Sequence, residues 1–159
     1  MKECTLWYGV NSRKPSRVCL GIKTQKIGAG LRNGPGGMIE KGETPVETCI
    51  REVREEIELF LDPKDVKPVG QVDFFFADNL TDEPNLRVYL FRSWVWTGKA
   101  TNTAEMVDFR WFPLKALPED MMAGDSLFVL QACKGEEVRL KIWYSGDKKE
   151  VTKWEYRIG

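Results

Sequence analysis

Glu52, Glu55 and Glu56 stand at positions i, i+3 and i+4, so on a helix their carboxylates gather on one side. Like charges at that spacing repel, and a cation belongs beside them. Oxygen-only ligands suit a hard divalent ion, Mg²⁺ or alternatively Mn²⁺, which keeps several waters and shares substrate phosphates. A solvated acidic face is the plainer reading of three glutamates alone. The stretch in front favours a ligand: Gly28, Gly30, Gly34, Gly36 and Gly37 lie close together and let backbone approach a bound group. Lys23, Lys26 and Arg32 flank this loop and put positive charge where a polyphosphate would approach; solvated loop charges are the alternative. The loop has no GxxxxGK[ST] spacing, and GxGxxG fails because Asn33 stands at its third glycine.

The glutamates sit on a predicted helix that opens at Thr44-Pro45-Val46-Glu47, a capping box with proline at the first helical position. Val46, Cys49, Ile50, Val53 and Ile57 form its apolar stripe. Arg51 either pairs with Glu43, holding the preceding loop to the helix, or is an exposed helix arginine. Before the loop, residues 4–10 and 17–23 read as two strands of a hairpin turned at 11–16. After the helix, strands over 66–77 and 86–96 flank a polar turn at 78–85. Alternation puts Phe74 and Phe76 on one face and Phe75 on the other. That pair could stack on a base or pack in the core. A strand over 107–112 follows Glu105, and Asp125 is placed to cap a second helix over 126–133 with Leu127, Leu130 and Phe128 inward. A hairpin of 137–144 and 151–157 closes the chain. The order β-β-loop-α-β-β-β-α-β-β predicts an α/β fold, a mixed sheet between two helices in an α/β/α sandwich.

The 159 residues suit one domain, 1–159. Lys+Arg and Asp+Glu balance at 24 each, which gives no electrostatic support to general nucleic-acid or membrane-surface binding. The start carries no apolar signal segment, no run is long enough to span a bilayer, and Cys4, Cys19, Cys49 and Cys133 form no CxxC pair. A cytoplasmic protein with free thiols, working as a monomer, is the expectation. With no histidine, Ser-His-Asp and Cys-His arrangements are excluded, and catalysis must run on carboxylates, lysines, backbone donors or a hard metal.

Gly37, Glu43, Arg51, Glu52, Val53, Glu55 and Glu56 are spaced as Gly, five residues, Glu, seven residues, Arg-Glu-apolar-x-Glu-Glu. This resembles the Nudix box, the signature of hydrolases acting on nucleoside diphosphates linked to another group. The likeness implies the same sandwich fold and Mg²⁺ held by Glu52, Glu55, Glu56 and the Gly36 carbonyl, with Glu105 assisting. Either Glu56 or Glu105 would then take the proton of the attacking water. Gly21-Ile22-Lys23, Gly28–Gly34, Val69–Val72 and Glu105-Met106 before Trp111-Phe112 extend the likeness to the MutT-like hydrolases of oxidised purine nucleoside triphosphates, such as 8-oxo-dGTP. That branch implies nucleotide contacts from Lys23, Asn33 and Gly37 and a base pocket of Phe74, Phe76, Met122 and Asp125.

Two positions depart from the family pattern. Glu58 stands where a helix-ending glycine is usual, so the helix is expected to run on to Asp62-Pro63. In the segment Met122-Ala123-Gly124-Asp125 one of two adjacent aspartates is glycine and the stacking tryptophan is methionine, which implies looser reading of the base. Alternatives are a Nudix hydrolase of ADP-ribose, dinucleotide polyphosphates or capped RNA, a catalytically silent nucleotide-binding domain, and a structural domain with a solvated acidic face.

Overall fold

The computed structural model describes residues 1–26 and 28–157; position 27 of the predicted loop and the last two residues lie outside the described residues. The strands are β1 (Lys2–Val10), β2 (Arg17–Lys23), β3 (Arg32–Asn33), β4 (Gly36–Met38), β5 (Lys67–Phe75), β6 (Leu86–Ser93), β7 (Met106–Pro113), β8 (Val138–Tyr144) and β9 (Val151–Tyr156). The helices are α1 (Pro45–Ile57) and α2 (Val129–Lys134). All strands join one mixed sheet in the order β3-β2-β1-β6-β5-β8-β9, with β4 added to β1 and β7 to β2. The β1–β6 and β5–β8 pairings are parallel and the others antiparallel. Among the described residues no helix is long and apolar enough to cross a membrane.

Strand alternation sorts β1 into two cores. Trp7 packs with Cys49, Val53 and Ile57 of α1, whereas Tyr8 and Val10 pack with Val129, Ala132 and Cys133 of α2. The predicted three-layer sandwich is therefore the observed one. β1 also organises the site. Its start pairs with β4 and its end with β2, so the loop between those partners runs across it at Trp7, whose N–H bonds Pro35 O at 2.9 Å. A Cβ at Gly36 would fall 2.0 Å from Thr5 O, so only glycine lets β4 lie this close.

The start of α1 follows its local code. Thr44 Oγ1 accepts from Glu47 N–H and Glu47 Oε1 from Thr44 N–H, each at 3.2 Å. Cys49, Val53 and Ile57 are buried, and Val46 and Ile50 lie half-buried at the margin. Its end differs from the expectation. The helix stops at Ile57, and Glu58 adopts the left-handed conformation (φ 60°, ψ 32°) in the glycine position. The chain has to turn here because Leu59 and Leu61 enter the α1-side core and Phe60 pairs antiparallel with Thr97. Asp62-Pro63 then begins a separate 3₁₀ turn. Left-handed backbone costs a non-glycine residue about 1–2 kcal/mol, which glycine's extra chain entropy of about 0.5–1 kcal/mol offsets in part. Glu58→Gly should therefore raise the melting temperature by about 2–4 °C per kcal/mol recovered, read in a thermal melt. A fall would show that the Glu58 side chain contributes more than its backbone costs.

The second helix also departs from the expectation. Gly124 (φ 96°) leads into a 3₁₀ turn over Asp125–Leu127, Phe128 breaks the run, and α2 begins at Val129. Asp125 is not the cap. Its Oδ2 reaches back to accept from Met122 N–H at 3.2 Å. The break lets Phe128 drop into the core beside Val129, Ala132 and Cys133, while Leu127 and Leu130 are only partly buried.

Candidate active site

α1 contributes two carboxylates and the turn before β7 a third. Carboxylate oxygens of Glu52, Glu56 and Glu105 lie within 4.8 Å of one another. Glu55 is not in this group; its side chain is half exposed and accepts from Arg51 Nη1 at 3.3 Å. The Gly36 N–H donates to Glu56 Oε2 at 3.0 Å, bringing β4 onto the cluster. Gly37 passes so close that a Cβ there would lie 2.4 Å from the Glu52 carboxylate.

Burial pushes the Glu56 carboxyl up to about 7; the nearby Glu52 and Glu105 charges add to the rise, and Lys23 and the Gly36 N–H oppose it. Glu52 is raised by burial against the pull of Arg51. Three converging carboxylates, two of them made harder to ionise by burial, fit a hard divalent cation. Lys23, at the end of β2, adds positive charge beside Glu56.

Arg51 does pair with Glu43. Its Nε and Nη2 grip the two Glu43 oxygens at 2.7 and 2.9 Å, Nη2 also donates to Met38 O, and Nη1 to Glu52 at 2.8 Å. Those bonds hold Glu43 down to about 2, with the Glu40 N–H and Thr48 hydroxyl assisting. Arg32 is not the loop charge expected for a polyphosphate. It is buried, paired with Asp108 at 2.7 Å, stacked over Phe112 and facing Asp120 at 3.7 Å.

A second group forms on the α2 side of the sheet. Phe74 and Phe76 share that face, whereas Phe75 stacks on Trp143 across the sheet, as alternation predicts. Tyr144 stacks on Phe74 at 5.6 Å, lies 6.5 Å from Phe76 and donates to Ala123 O at 2.7 Å. Burial raises the Tyr144 phenol and the nearby Asp125 adds to the rise, while burial pushes Asp125 itself up to about 7. Arg32 N–H bonds Asp120 O at 2.6 Å, which lays the segment carrying Met122 and Asp125 beside β3. Asn33 on β3 is buried, with Oδ1 accepting from Gly34 N–H at 2.8 Å. Met122 sits over the glycine loop, where a Cβ at Gly28 would meet its Sδ at 3.2 Å. Two tyrosines escaped the sequence reading. Both could have been found by strand alternation, Tyr144 with Leu140 and Ile142 on β8 and Tyr8 with Val10 on β1; Tyr8 is fully buried, and its hydroxyl lacks a partner among the described residues.

Residues 10–132 match the Nudix domain. The chain belongs to the Nudix family. It is 36% identical over 128 residues to the oxidized purine nucleoside triphosphate hydrolase of Mus musculus, covering 79% of this chain and 78% of that one. To the protein of the same description from Danio rerio it is 32% identical over 114 residues, 72% and 69% of the two chains. Among solved structures, the MutT protein of Bacillus halodurans superposes with a TM-score of 0.78 at 19% identity, covering 98% and 97%. A MutT Nudix hydrolase of Burkholderia pseudomallei superposes with 0.68 at 20% identity, covering 82% and 96%. At such identities these two speak for the Nudix fold alone. Nudix hydrolases generally need a divalent metal, and among the described residues the carboxylate cluster is the group whose chemistry fits one.

Proposed function

We propose that this Nudix chain hydrolyses purine nucleoside triphosphates, oxidised ones preferentially, to nucleoside monophosphate and pyrophosphate, and so cleans the free nucleotide pool as a cytoplasmic monomer. The observation that carries the reading is the convergence of Glu52, Glu56 and Glu105 beside Lys23. The two relatives named for oxidised purine triphosphates support the choice of substrate. Mg²⁺ or Mn²⁺, held by Glu52, Glu56 and Glu105, would neutralise phosphate charge and acidify a water.

The chain's own groups do the rest. Lys23 meets phosphate charge at the mouth of the cluster, and the backbone of Gly36 and Gly37 leaves room for it. Glu52 is committed to Arg51, so removing the proton of the attacking water falls to Glu56 or Glu105. Phe74, Phe76 and Met122 offer apolar surface to a base, and Asn33 a polar edge. Asp125, pushed up to about 7, is protonated below neutrality and can then donate to a purine acceptor.

With Gly124 in place of a second acid, discrimination rests heavily on Asp125. Losing that contact is worth about 1.4 kcal/mol, or tenfold. Pyrophosphate release should therefore show higher kcat/KM for 8-oxo-dGTP than for dGTP, and Asp125→Ala should shrink the ratio about tenfold. Raising the pH through 7 should shrink it in the native enzyme as the donor is lost. No preference in the native chain, together with no change in Asp125→Ala, would remove the oxidised-purine assignment.

A further inference from the structure

We propose that Thr103 is a positioning residue whose single hydroxyl sets Glu105 against the carboxylates of α1; this rests on the metal-cluster reading above. Thr103 lies in the connection before β7, two residues ahead of Glu105. Its Oγ1 donates to Glu56 O at 2.7 Å and accepts from Glu105 N–H at 3.1 Å and Met106 N–H at 3.3 Å. One oxygen thus joins the backbones of two residues whose side chains meet in the cluster.

The end of α1 explains why the bond to Glu56 is needed. The last carbonyls of a helix have no partner within it. The left-handed turn at Glu58 satisfies one of them, Glu58 N–H bonding Arg54 O as a glycine cap would, while Phe60 N–H goes on to Thr97 O and leaves the last two carbonyls to other partners. The carbonyls of Glu56 and Ile57 are taken instead by the Thr103 hydroxyl and by Thr101 N–H, the latter at 3.1 Å. The connection that caps the helix is the one that delivers Glu105. Glu105 is held at its other end too: Thr24 N–H donates to Glu105 O at 3.1 Å, and the Thr24 hydroxyl bonds Ala104 O. Thr24 follows Lys23, so the third carboxylate is fixed between the metal-binding helix and the strand bearing the phosphate-facing lysine.

Removing a group that orients a metal ligand typically costs 10–100-fold in metal affinity or activity. Thr103→Val keeps the branched shape and loses the oxygen; Thr103→Ser keeps the oxygen and loses the methyl. Mn²⁺ binding to the nucleotide-free protein, read by the electron paramagnetic resonance of free Mn²⁺, should weaken about tenfold in Thr103→Val. The kcat should fall by about 10–100-fold, KM for nucleotide should change little, and Thr103→Ser should recover both losses. In a Glu105→Gln background Thr103→Val should weaken Mn²⁺ binding little further, because the two act as a unit. Thr103→Ala serves in the same cycle if the valine variant does not fold. Additive losses in the double variant, or a serine variant as impaired as the valine one, would overturn the proposal. Native protein that binds Mn²⁺ yet hydrolyses no nucleoside triphosphate would sink the proposed function while leaving this cycle readable.

Discussion

Replacing Glu56 with glutamine should lower turnover about a thousandfold, the scale seen when one electrostatic contact to a developing charge is lost, and should make the cation-free protein more stable near neutral pH. The second effect follows from burial. Glu56 is 5% exposed and ionises at about 7 in the fold, against 4.5 for the unfolded chain. Between those values the folded state holds a proton that the unfolded state has released, so stability is full below about 4.5 and is lost as pH rises through about 7. The loss is about 3 kcal/mol at 1.36 kcal/mol per pH unit. Asp125, raised to about 7 from 3.8, contributes with the same sign, and Glu52 is shifted in the same direction. In EDTA, denaturant melts of the native chain should therefore lose stability from pH 4.5 to 7. Glu56→Gln should show a shallower decline, carried by Asp125 and Glu52. Added Mg²⁺ should stabilise the native chain by mass action and the variant much less. Wild-type turnover in the variant, or identical pH slopes in EDTA, would return the cluster to a solvated acidic face.

That cluster was only partly legible in the sequence, and the reason is angular. Glu52 and Glu56 are four residues apart and nearly in line, whereas Glu55 lies about 100° round the helix from Glu56. The i, i+3, i+4 rule brings the three together as neighbours but leaves open which of them faces the sheet. Val53 and Ile57 enter the core, so Glu52 and Glu56 go with them and Glu55 is left to solvent and Arg51. The capping box and the Phe74–Phe75–Phe76 alternation needed only neighbouring residues and were readable. Arg32 was misread because its partner Asp108 lies 76 positions on, and nothing local marks it as buried. Glu58 shows the opposite failure. The local rule against left-handed glutamate is sound, but Leu59 and Leu61 entering the core and the carbonyl caps from Thr101 and Thr103 outweigh it. Glu105 was reachable through the family likeness alone, since its turn becomes part of the site only when Thr103 meets α1.

Arg51→Ala should lower the melting temperature and the activity together. The guanidinium binds both oxygens of Glu43, the Met38 carbonyl, Glu52 and Glu55, so one side chain fastens the loop after β4 to the helix that bears the cluster. Alanine removes every one of those donors and leaves Glu43, Glu52 and Glu55 without the cation between them. A shift of about 1 Å in a positioning group can cost roughly a hundredfold in rate, so kcat/KM should fall on that scale. Arg51→Lys should recover little, because a point charge cannot reproduce the two-pronged grip on Glu43. The acid limb gives a separate signature. Arg51 is the largest cause holding Glu43 down to about 2, so the pair contributes stability above about 4.5 and loses it as pH falls toward 2. The gap in melting temperature between native and variant chains should accordingly be widest near neutral pH and close as pH drops through that window. Activity lost with the melting temperature and the acid limb unchanged would place Arg51 on the substrate rather than in the loop.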